Sequence, residues 1–130
     1  MPAKVAALIA AESETSNSLS GVIENLTALL EGDDDVEVAL LCTPKTRQIH
    51  RVEGEGNHFC GYRNMQILLS ALPATTPDGQ ELLAKKPTIP ELQDAIEAAW
   101  NAGINAHGKV LTGGIKGTRK HVGTSEVWVT

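Results

Sequence analysis

A chain of 130 residues with 42% hydrophobic and 21% charged side chains has the profile of one globular domain built around a single core. Its formal net charge of −5, with acids gathered between Glu31 and Asp35, gives no general attraction to nucleic acid. Two cysteines, Cys42 and Cys60, are too few for a disulfide-stapled scaffold. They are expected to be reduced, in a cytoplasmic or nuclear protein.

Residues 1–21 read as a polar N-terminal segment. Its opening run, Met1 to Ala11 (MPAKVAALIAA), is too short to span a bilayer and sits at the bottom of the length range for a signal-peptide core. Neither a secretory signal nor a membrane contact is expected. Glu12 to Ser20 is rich in Ser, Thr, Glu and Asn and reads as a polar loop ending in helix-capping residues. Val22, Leu26, Leu29 and Leu30 then recur at helical spacing, and Gly32 with the acidic turn Asp33 to Asp35 stops the run. Val36, Val38 and Leu40 alternate with Glu37 and Ala39, with Leu41 continuing the run, which predicts a short, largely buried strand ending near Cys42. Thr43 to Asn57 is polar and charged. It reads as a loop arriving at Cys60.

The clearest amphipathic pattern follows. Met65, Leu68, Leu69 and Leu72 predict a helix starting near Gly61 with those four residues facing the core, which puts Cys60 at its N-terminal edge. Pro73 and Thr75 to Gly79 read as the helix end and a loop. Thr88 and Glu91 fit a capping box, Pro90 falls in the first turn, and Leu92, Ile96 and Ala99 form a buried stripe that Gly103 terminates. Gly108 to Thr130 is glycine-rich and basic up to Lys120, without regular period until Val127, Trp128 and Val129.

A cysteine at a helix start has a chemical use, since the free N–H groups and the positive end of the helix dipole favour a thiolate. A cysteine beside Phe59 can equally be packed in the core. Both readings stand on position alone. Zinc fits poorly: Cys42, His50, His58 and Cys60 lack the short paired spacings of tetrahedral modules. The glycines of LTGGIKGTRKHVGT are not a phosphate loop, because Gly117-Thr118-Arg119 stands where Gly-Lys-Ser/Thr is required. No cofactor is expected.

Three stretches, CGYRNMQILLSAL (Cys60 to Leu72), PTIPELQDAIEAAWNAGIN (Pro87 to Asn105) and GGIKGTRKHVGTSE (Gly113 to Glu126), resemble in order the nucleophile helix, the following helix and the Gly-Thr-Arg-Lys loop of the C78 cysteine peptidases. That family includes Ufm1-specific proteases and a zinc-finger ubiquitin peptidase. Weaker similarity reaches back through LLCTPKTRQIH to about Val22. The resemblance implies a papain-like α+β fold over residues 22–130, incomplete at its C-terminus. It further implies a thiol peptidase that cleaves after the C-terminal glycine of ubiquitin or a ubiquitin-like modifier such as Ufm1. Cys60 carries over as nucleophile, and Gln48 stands where some members place an oxyanion tyrosine; otherwise Gln48 is an exposed loop side chain. Tyr62, Arg63 and Asn64 are retained, the first two expected to anchor the helix.

The departures are equally specific. The family's base histidine, in a Gly-His strand, and its Asp-Pro aspartate lie beyond the Gly-Thr-Arg-Lys loop. His50, His58, His107 and His121 match none of those positions, and no Asp-Pro pair occurs. The expectation is therefore a segment inactive by itself, or a non-catalytic remnant that binds a ubiquitin-like protein.

Overall fold

The structure is a computed structural model and describes residues 1–12, 17–72 and 85–124. The elements run in the order α1 (Ala3–Ala10), β1 (Ser18–Leu19), α2 (Val22–Glu31), β2 (Gln48–Ile49), α3 (Cys60–Ala71), α4 (Ile89–Asn101) and α5 (His107–Thr112). Helices with one small sheet agree with the α+β expectation at that level. β1 and β2 pair antiparallel, Ser18 opposite Ile49 and Leu19 opposite Gln48. Asn17 prolongs the pairing: its carbonyl accepts from His50 N–H at 2.8 Å and its side-chain amide donates to the His50 carbonyl at 2.8 Å.

The core lies between α1, α3 and α4. Ile9, Phe59, Tyr62, Met65, Ile89, Leu92, Ile96, Trp100 and Ile115 are buried together, and Val5, Leu69 and Val122 pack against them. Helix α4 forms as its local signals dictate. Thr88 accepts from Glu91 N–H while the Glu91 carboxylate accepts from Thr88 N–H, Pro90 occupies the first turn, and Gly103 follows the helix end at φ +88°.

Other expectations are corrected. Residues 1–12 are part of the fold, since α1 packs on α4 and sends Ile9 and Glu12 into the interior. Val36 to Cys42 forms no strand; Val38 and Leu40 are 80% and 95% exposed. Alternation predicts which side chains want burial, but a strand also needs a ladder partner, and no described residue supplies one. Helix α2 has the predicted bounds yet buries none of its residues. In α3, Met65 is buried and Leu69 touches the core, but Leu68 and Leu72 are 54% and 44% exposed. The buried face of α3 is Tyr62, Arg63, Met65 and Gln66, rotated toward polar residues that find partners inside. The expected loop Thr43 to Asn57 contains β2, and α5 falls within the stretch read as irregular. The loop expected at Thr75 to Gly79 and the apolar Val127 to Val129 lie outside the described residues.

Candidate active site around Cys60

The turn into α3 sorts its side chains sharply. Phe59, the residue before the helix, is fully buried and its ring lies 6.0 Å from that of Tyr62. Cys60, the first helical residue, is exposed and its thiol is free. The packed-core reading of Cys60 is therefore wrong, because Phe59 fills that role. Tyr62 and Arg63 are buried, as expected of residues that anchor the helix.

Gly61 is needed where it stands. A Cβ there would come within 2.7 Å of both Cγ2 and the carbonyl oxygen of Val122. The chain after the Gly-Thr-Arg-Lys loop thus lies directly on the first turn of α3. His58 and His121 meet beside it with ring centroids 5.4 Å apart.

That loop is gripped by two side chains one turn apart on α4. Gln93 Nε2 donates to the Thr118 carbonyl at 3.1 Å, and its Oε1 accepts from Gly117 N–H at 3.0 Å. Gln93 Nε2 also lies 3.4 Å from the Tyr62 hydroxyl. Glu97 Oε1 accepts from the N–H groups of Ile115 at 2.8 Å and Lys116 at 3.1 Å. Those backbone bonds hold the Glu97 carboxyl below its ordinary range.

Beneath the exposed cysteine sits a buried ionic network. Arg63 pairs with Glu12 and with Glu55, and its Nη1 donates to Gln66 Oε1 at 2.8 Å. Glu12 is fully buried and also accepts from Gln66 Nε2 at 3.1 Å and from Ile89 N–H at 2.5 Å, so it ties α1 to the starts of α3 and α4. Glu55 accepts from Val52 N–H at 2.8 Å and thereby folds the 52–55 turn against α3. Burial works against the charge of Arg63, but the hydrogen bonds it donates to Glu55 and Glu12 outweigh it and raise its pKa. Lys86 donates to the Glu12 carbonyl at 3.2 Å and to Asn17 Oδ1 at 2.5 Å. Its pKa is lowered by burial, with Glu12 opposing and Arg63 reinforcing the shift.

A cavity of about 360 Å³ opens at the N-terminal end of α3, and both Cys60 and Gln48 line it. Gln48 is exposed on β2 rather than in a loop. His50, Asn57 and Asn64 share the wall, where Arg51 Nη1 donates to Asn57 Oδ1 at 2.6 Å. Among the described residues no side chain hydrogen-bonds the Cys60 sulfur. His58, whose ring meets that of His121 at a tilt of 49°, and His107, which opens α5, are not among the residues lining this cavity. No group of three or more His, Cys, Asp or Glu among the described residues is arranged to hold a metal ion.

Glu12, Glu55, Gln93 and Glu97 were not apparent from sequence. The available signal was polar spacing on apolar faces: Arg63 and Gln66 three apart beside Met65, and Gln93 and Glu97 four apart on α4.

A model of peptidase family C78 matches residues 35–130. The zinc finger-containing ubiquitin peptidase 1 of Mus musculus is 35% identical over 112 residues, covering 84% of this chain and 19% of its own length. The Homo sapiens protein of that name is 30% identical over 112 residues, covering 85% and 19%. The chain thus spans about a fifth of the length of these curated relatives, and the family match takes in Cys60, Gly61 and the Gly-Thr-Arg-Lys loop. The chain belongs to peptidase family C78.

Proposed function

We propose that this chain carries the nucleophile of a papain-like cysteine peptidase that cleaves after the C-terminal glycine of ubiquitin or a ubiquitin-like modifier. The observation that carries the reading is an exposed cysteine at the first position of α3, on the wall of a cavity, in a chain of peptidase family C78. The name of the relatives supports ubiquitin as the class of substrate.

In this chemistry the Cys60 thiolate attacks the carbonyl carbon of that C-terminal glycine, and the carbonyl oxygen becomes an oxyanion. The Cys60 N–H and the Gln48 amide are its proposed donors. Collapse expels the amine, which takes up a proton, and leaves a thioester on Cys60. Water then hydrolyses the thioester to the free carboxylate and thiol. The proton steps need an imidazole in hydrogen-bond reach of the sulfur. No described histidine makes that bond, and the reading expects these residues alone to turn over roughly 10²–10⁴-fold more slowly than a site with a positioned imidazole.

Ubiquitin and Ufm1 probes bearing a C-terminal electrophile test the reading. An adduct on Cys60, absent in Cys60→Ser and not formed on Cys42, is expected from at least one probe. Fluorogenic ubiquitin substrate should be cleaved no faster by the chain than by Cys60→Ala. Non-covalent binding without an adduct would overturn the nucleophile assignment and leave a ubiquitin-like-protein binder.

A further inference from the structure

On the other side of β2 lies a second cavity of about 460 Å³, within the size range of small-ligand sites. Ile49 borders both cavities, and Gln66, Leu69 and Ser70 of α3 form part of the second wall. Its charge runs against that of the molecule. The chain carries −5 overall, yet the described lining holds Lys45, Arg47, Lys85 and Lys86 against one carboxylate, Glu24.

The four cations are not equally committed. Lys86 is spent on the Glu12 carbonyl and Asn17, and the charge of Lys85 acts on Glu91. Lys45 and Arg47 pair with no acid among the described residues. Arg47 is nevertheless fixed at its base, because its N–H donates to Ser70 Oγ at 3.0 Å. Hydroxyls of Ser18 and Ser20 also line the space and can donate to an anion, whereas the Ser70 hydroxyl donates to the Ile67 carbonyl at 2.6 Å.

We propose that this cavity binds a small, multiply charged phosphate, with Lys45 and Arg47 as its principal partners. A concave site with two uncommitted cations and two hydroxyls matches the geometry and donors of a phosphate group better than those of an uncharged ligand. An extended acidic peptide would find its charges met only inside a pocket of this size, which favours a compact anion. The site is separate from the Cys60 cavity, and its existence does not depend on the peptidase reading.

Inorganic pyrophosphate is the probe, titrated into the intact chain by calorimetry at low ionic strength. Saturable binding that weakens with added salt is expected, together with a thermal midpoint that rises with pyrophosphate concentration. The exposed double variant Lys45→Ala/Arg47→Ala should fold like the parent and bind about 10–100-fold more weakly. ATP in a parallel titration identifies the source: tighter binding than pyrophosphate indicates a nucleotide, equal binding an inorganic phosphate. The proposal is overturned by no saturable binding at millimolar pyrophosphate, by undiminished binding in the double variant, or by binding of an acidic peptide alone.

Discussion

Helices α2 and α3 carry the same kind of amphipathic spacing and end in opposite situations. α3 buries Tyr62, Arg63, Met65 and Gln66 between α1, α4 and the 52–55 turn. α2 buries nothing, and Leu29 on its surface is 71% exposed. An apolar stripe states what a helix would bury; only the rest of the chain decides whether anything is there to cover it.

The largest expected effect is at the packed end. Arg63→Ala leaves Glu12 and Glu55 buried without their cation and should cost about 3–5 kcal/mol in denaturant unfolding. Ile96→Ala on α4, a fully buried position, should cost about 2–5 kcal/mol. The matching change on the open side, Leu29→Ala, should stay within about 0.5 kcal/mol. Equal losses for Ile96→Ala and Leu29→Ala would erase the contrast between the two regions. Thr88→Ala sharpens it at a local level, since loss of the α4 cap should cost about 0.5–2 kcal/mol.

The smallest effect is set by pH. Glu97 is held below its ordinary pKa by the N–H groups of Lys116 and Ile115. Its contribution is therefore present above the ordinary carboxylate value and is lost as pH falls through the lowered folded value. The amide chemical shifts of Ile115 and Lys116 should move together in that acidic window, and the movement should vanish in Glu97→Gln.

Signals that act over a few residues were legible in the sequence. Thr88, Pro90, Glu91 and Gly103 bound α4 because caps and breakers work through adjacent backbone. Cys60 could be placed at the start of α3 for the same reason. The facing of α3 could not be read, because it is fixed by Glu12, which lies 51 positions from Arg63. Hydrophobicity alone favoured Leu68, whereas the buried polar set chose Arg63 and Gln66. Val36 to Leu41 failed for the complementary reason: its alternation is genuine, but β pairing is a property of two segments. Gln48 reached the Cys60 cavity through a two-residue strand too short to leave a pattern.

The Glu12 carboxylate also orders events in time. It is synthesised 77 residues before the N–H of Ile89 from which it accepts. Until then the growing chain holds a charged side chain with no interior to enter, and α1, at 8 residues, is too short to persist alone in water. Docking of α1 is thus a late step of assembly that closes a long loop, and the seat of α3 beneath Cys60 is completed only when Glu12 returns to it.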